Sequence, residues 1–320
     1  MTRSQLNRVP GRLAYNSINL YSKQDTTIDT DLVYNQVKVG AAGMGPLDNR
    51  DAEAYDEITL TPDGRMTTAI AAVLYPSAYR NPTLGAGIFN DTDVPAVVHG
   101  NDASLDTHKS AALVQMPQMI FHPLKTLLGQ LKLLCLRGTT TGASDPWATA
   151  NSLRTFANSG GTFTDATMTT AGIITQDYTV TWGAFSGWSG LDFYDGLVFE
   201  PKIEFVDDNV AVHGLFNKRI KSVGGILRGI PIGITRAQID TQLQIQGSGA
   251  VRGASGAAKA AAVTVTGADA KVYLTFPLGQ LIKSKLVNGI EQLREGEVAW
   301  EALPVLTSGV RGAYFTTPIA

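Results

Sequence analysis

Thiols, charge and long apolar runs are all scarce in this chain of 320 residues. The single cysteine, Cys135, can form neither an internal disulfide nor a thiolate metal cluster. It sits within Leu131-Lys-Leu-Leu-Cys-Leu, where a buried free thiol is the simplest reading. Charged residues reach only 17%, against about a quarter in an average domain. A net charge of -2 and a pI near 6.1 exclude a nucleic-acid binder of the ordinary basic kind. No apolar run approaches the ~18 residues of a membrane-spanning helix. The polar opening residues 1–8 have no apolar stretch after them, so no signal peptide is expected.

Recognisable chemistry is equally thin. There is no Gly-Lys-Ser or Gly-Lys-Thr of a phosphate loop and no serine in a nucleophile elbow. Gly247-Ser-Gly-Ala-Val-Arg-Gly253 has the wrong spacing for a dinucleotide loop. The 4 histidines, His99, His108, His122 and His213, form no close pair in sequence, so no metal site is expected. Asp102 and Asp106 lie near His108 in what reads as a loop, and loop polarity accounts for them. The expectation is a protein without cofactor or metal, and not an enzyme.

Short amphipathic segments are abundant. With 33 glycines and frequent Thr, Ser and Asn, the composition suits many strands joined by turns. Strands are predicted at 31–39, 57–61, 97–100, 112–116 and 129–137. The last is apolar on both faces, the mark of a central strand covered on two sides. Cleaner alternation follows at 174–182, 197–205, 263–266, 272–276 and 297–302, where apolar residues oppose Thr, Glu and Lys. Residues 40–56 read as loop, and 65–74 fit either a helix (Met66, Ile70, Val73) or a strand. The clearest helix signal is 144–157, with Ser144 as cap, Pro146 in the first turn and a Trp147, Ala150, Leu153, Ala157 stripe. A second, short helix capped by Thr235 fits 234–243.

The fold class expected is therefore mainly β, an antiparallel β-sandwich or open barrel with one flanking α-helix. Residues 1–27 read as an extended N-terminal arm. Residues 28–320 read as a single elaborated β-rich domain, with a helical insertion at about 144–157 and a flexible loop at about 247–261.

Two clusters are candidates for subunit contact. Trp182, Phe185 and Trp188 stand close in sequence; exposed, they would anchor a partner, and buried, they are core. Lys218, Arg219 and Lys221, with Arg228 beyond, make the notable basic cluster. It reads as a solvated face or as a patch meeting Asp207 and Asp208 of a neighbouring subunit, a nucleic-acid groove being the other reading. Many amphipathic strands without a catalytic constellation lean toward assembly, because unpaired strand edges can be covered by identical subunits.

Three stretches carry a family resemblance. Val272-Tyr-Leu-Thr-Phe-Pro-Leu-Gly-Gln followed by Gly296-Glu-Val-Ala-Trp-Glu-Ala-Leu resembles the closing strands of bacteriophage tail tube (major tail) proteins. Leu197-Val-Phe-Glu-Pro-Lys-Ile-Glu-Phe-Val-Asp-Asp looks like the early strand pair of the same proteins. Gly229-Ile-Pro-Ile-Gly-Ile-Thr-Arg-Ala-Gln-Ile-Asp also looks phage-structural. The resemblance covers about the last 130 residues. It implies a tail-tube-like fold and a virion protein, made in the host cytoplasm, whose stacked rings, commonly hexameric, enclose a channel for genome passage. Its partners would be copies of itself, other tail proteins such as a tape-measure protein, and DNA passing without specific binding. The alternatives are another virion component (distal-tail adaptor, decoration or capsid protein) or a carbohydrate-binding β-sandwich using Trp182 and Trp188.

Overall fold

The structure, a computed structural model, describes residues 12–16, 18–20, 27–38, 46–62, 68–75, 97–101, 104–108, 111–122, 127–136, 154–157, 178–183, 189–210, 214–232, 260–268, 270–283, 286–288, 293–307 and 310–317. Every strand pair described is antiparallel.

The first half supplies β1 (Arg12–Tyr15), β2 (Ile18–Leu20), β3 (Thr27–Lys38), β4 (Pro46–Leu60), β5 (Val97–Asn101), β6 (Ser104–His108), β7 (Ala111–Gln115), β8 (Met119–Phe121), β9 (Leu131–Leu136) and β10 (Arg154–Ala157). The second half supplies β11 (Tyr178–Trp182), β12 (Phe193–Val210), β13 (Gly214–Pro231), β14 (Ala260–Gly267), β15 (Val272–Lys283), β16 (Leu286–Asn288), β17 (Leu293–Glu295), β18 (Val298–Leu303), β19 (Leu306–Thr307) and β20 (Val310–Arg311). One helix, α1 (Thr68–Leu74), lies between β4 and β5.

The largest sheet has seven strands in the order β11-β14-β15-β18-β13-β12-β8. A five-stranded sheet runs β10-β6-β5-β1-β2, and a four-stranded sheet runs β3-β4-β9-β7. Two small hairpins, β16-β17 and β19-β20, complete the set.

The seven-stranded sheet is curled but not closed. Its end strands meet through side chains: Phe121 on β8 and Tyr178 on β11 pack edge to face, ring centroids 5.0 Å apart. Tyr273 on β15 joins both, at 6.5 Å from Phe121 and 5.5 Å from Tyr178. Burial follows the alternation read from the sequence. Val180, Trp182, Leu197, Phe199, Val263, Val265, Leu274, Phe276, Val298 and Trp300 are all buried. Tyr273 departs from it: opposed to Leu274 in the alternation, it is buried too. A register shift between β14 and β15 pairs Val265 with Leu274 and Thr266 with Val272. Tyr273 is the extra residue of that bulge, and a bulge re-aims the side chain it carries.

Close packing dictates several glycines. A Cβ at Gly225 would stand 2.4 Å from Phe199, and one at Gly279 2.4 Å from Val263. Gly196 has a positive φ of 73°, and a Cβ there would meet the carbonyl oxygen of Phe121 at 2.1 Å. That position joins β8 to β12 at a bulge, which only a residue without a side chain allows.

Several expectations change here. Arg12–Tyr15 and Ile18–Leu20, within the expected arm, pair with each other, Arg12–Tyr15 also pairs with β5, and Leu13, Tyr15 and Leu20 are buried in the chain's own core. Residues 46–56, expected as loop, belong to β4. They lack apolar alternation, and pairing with β3 makes the strand. Pro46 stands at its first position, where no ladder donor is missed. Of the expected helix at 144–157, the last four residues, Arg154–Ala157, form β10 against β6, and 144–153 lie outside the described residues. A stripe ending in Leu153 and Ala157 suits a strand once an edge is available. The described helix is α1, where the helical reading of the ambiguous 65–74 segment holds. Ile70, Ala71, Val73 and Leu74 are buried, and Pro76 follows. Residues 247–259 and the short helix expected at 234–243 lie outside the described residues, and 260–261 open β14. β9 is an interior strand between β4 and β7, with Leu133, Leu134 and Cys135 buried, as its two-faced apolar pattern requires.

Candidate assembly surface

Sheet edges are where this architecture can meet another chain, because unpaired backbone donors and acceptors are templates for strand addition. Both ends of the seven-stranded sheet are capped by the chain itself. On β11, Val180 exchanges two backbone hydrogen bonds with Leu191, each 3.0 Å. On β8, Ile120 donates to the carbonyl of Leu127 at 2.7 Å, and Gly129 donates to that of Gln118 at 2.8 Å.

The β12–β13 pair is different. Each strand is 18 residues long. β8 pairs β12 only at Leu197–Phe199, and β18 pairs β13 only at Ile226–Gly229. Beyond Glu200 on β12 and before Ile226 on β13, no third strand is paired with them among the described residues. The ten residues from 201 to 210 reach about 33 Å at strand rise. One face of this ribbon packs inward: Ile220 and Val223 are buried, and Ile203 and Phe205 lie against the core. Charge lies on both faces: Asp207 and Lys218 follow Phe205 and Ile220 on the inward one, and Glu204, Asp208 and Arg219 stand on the other.

That charge is paired within the chain. Lys218 pairs with Asp207 directly opposite it, Arg219 with Asp208 at 2.5 Å, and Lys221 with Glu204 at 3.2 Å. Arg228 pairs with Glu200 nearer the sheet. Asp207 and Asp208, expected to meet this cluster from a neighbouring subunit, also reach it within the chain: Asp207 lies directly across from Lys218, and Asp208 diagonally from Arg219. Hydrogen bonds from Lys221 and then Ser222 hold the Glu204 carboxyl below its usual range.

The aromatic cluster divides. Trp182 is fully buried, its Nε1 donating to the carbonyl of Gly279 at 3.3 Å and its ring packed edge to face on Trp300 at 6.3 Å. It is core, not a contact residue. Phe185 and Trp188 lie outside the described residues. Among the described residues, the most exposed large apolar groups are Tyr194 at 79%, Leu306 at 65% and Val206 at 52%. The alternation in the sequence does not mark them, since each stands at a bulge, a ribbon or a hairpin that pairing creates.

No cluster of three His, Cys, Asp or Glu side chains converges as a metal centre among the described side chains. His122, on the far side of the Gly196 bulge, sits 3.2 Å from Asp195. No helix is long and apolar enough to cross a membrane among the described residues. No family model and no curated protein sequence matches the chain.

Proposed function

We propose that the chain is a structural subunit of a bacteriophage tail tube, assembling with copies of itself into stacked rings around a channel for genome passage. The observation that carries this reading is the β12–β13 ribbon, whose outer edges extend past a sheet that otherwise caps its own ends. Two features support it. The stretches resembling tail tube proteins fall on β12, β15 and β18, strands of the same sheet, with β15 and β18 paired directly. The ribbon's charge is internally paired, so a neighbour can approach without meeting net repulsion. The mechanism is edge complementarity with no chemistry. Its partners are copies of itself, in rings of the hexameric kind, and other tail components; its location is the virion.

Negative-stain microscopy of the purified protein tests this, alongside sedimentation velocity over a wide concentration range. Rings or tubes are the expected result. A strictly monomeric species at the highest concentration overturns it.

A further inference from the structure

A strand pair that buries one face presents its intervening residues on the other. At the end of the β12–β13 pair opposite its outer part, Phe193 stands directly across from Pro231. Both turn inward: Pro231 is buried, and the Phe193 ring lies 6.3 Å from that of Trp300. The residues flanking them therefore face out. Ile232 donates its N–H to the carbonyl of Asp192 at 2.8 Å, which keeps the two strand ends together. On that outward face Tyr194 is 79% exposed, Ile230 41% and Ile232 43%. Large apolar side chains gathered at adjoining positions, with an aromatic ring among them, are an anchor for another chain.

Acids rim this patch. Asp192 and Asp195 are exposed on its β12 side, and Glu297 precedes the Val298 that pairs with Gly229. Arg228, the next residue along that face of β13, is already paired with Glu200. An occupant that complements the patch brings aliphatic groups and positive charge. Residues 1–11, Met-Thr-Arg-Ser-Gln-Leu-Asn-Arg-Val-Pro-Gly, have that chemistry: Arg3 and Arg8 with no acid, and Met1, Leu6 and Val9. They lie outside the described residues and lead into β1 at Arg12. A fully extended segment of that length reaches about 36–40 Å.

We propose that residues 1–11 of one copy dock on the Tyr194, Ile230 and Ile232 patch of the next. One basic segment and one acid-rimmed patch per chain make a head-to-tail contact, and a closed ring leaves no patch bare. The proposal rests on the assembly reading and names a second contact for it, away from the ribbon's outer edges. So few anchoring side chains fall short of a stable interface, so this contact adds to the ribbon's and does not replace it.

Photocrosslinking in the full chain tests the docking. Tyr194 is replaced by photoreactive benzoylphenylalanine, an aromatic substitution at a mostly exposed position. This chain is mixed, before assembly, with wild type labelled with heavy nitrogen, and then irradiated. Mass spectrometry should find the crosslinking residue joined to residues 1–11 of labelled chains. Arg3→Glu combined with Arg8→Glu in the labelled chain should cut that product roughly 10-fold. Crosslinks to residues 1–11 of unlabelled chains alone would mean that the segment folds back on its own chain, and overturn the proposal. So would crosslinks confined to any other segment, or none. If the wild type forms rings or tubes without the expected crosslink, the docking alone fails. If the wild type stays monomeric, the assembly reading fails with it.

Discussion

Gly224 and Gly225 are neighbours on one strand, yet opposite outcomes follow from placing alanine at each. At Gly225 the new Cβ would stand 2.4 Å from Phe199, which cannot retreat: its ring is held by Phe276 at 5.6 Å and Phe315 at 4.9 Å. Gly225→Ala should cost about 1–3 kcal/mol through overpacking. Gly224 faces open space with an ordinary φ, so Gly224→Ala should stabilise by about 0.4–1 kcal/mol by restricting the unfolded chain. Denaturant midpoints for the two variants check both signs. Tyr75 makes a different residue-scale prediction. Its hydroxyl donates to the carbonyl of Pro117 at 2.7 Å, and burial raises its pKa well above the ordinary 10.0. The raised folded value means its contribution is complete below pH 10 and is lost as pH climbs further, because the unfolded chain ionises first. Tyr75→Phe should be about 1 kcal/mol less stable at neutral pH. That deficit should shrink above pH ~10, which urea titrations at both pH values would reveal; a deficit constant with pH would contradict it.

Elements show what local reading can and cannot deliver. Strands with one buried face, such as β11 and β14, are legible because a period of two repeats the chemistry of burial. β9 is legible for a related reason: apolar residues on both faces need two covers. β10 and the 46–56 part of β4 are not, because their partners, β6 and β3, decide them. The ribbon is intermediate: its alternation is plain, but its length and ion pairs depend on register. Asp207 and Lys218 are named easily from sequence; that they oppose each other is a property of the β12–β13 register. Being half-exposed, this pair should contribute little. A double-mutant cycle on Asp207→Ala and Lys218→Ala should give a coupling of about 0.2–1 kcal/mol, falling at high salt. A larger, salt-insensitive coupling would show that the ribbon face is not solvated.

At the scale of the whole molecule, the ribbon and the sheet answer to different forces. The sheet is held by its buried interior, in which Trp182, Trp300, Phe276 and Phe315 are each fully or almost fully covered. Among the described side chains, the ribbon's outermost contribution to that interior is Phe205 and its partner across the pair, Ile220. Long extensions with uncovered edges are a liability to a solitary protein, since they invite indiscriminate pairing. Their retention makes physical sense where a specific neighbour covers them. Shortening the ribbon separates the two roles. Val206 and Arg219 are directly opposite, so residues 207–218 can be replaced by Asn-Gly, which closes a two-residue hairpin with the twist the strands require. The shortened chain should keep a cooperative unfolding transition within a few degrees of the parent, because Asp207, Asp208 and Lys218, the described side chains it removes, are not buried. It should also sediment as a monomer where the parent forms rings or tubes. If it assembles as well as the parent, the ribbon is not the assembling edge. If it no longer unfolds cooperatively, the ribbon belongs to the fold rather than to the contact.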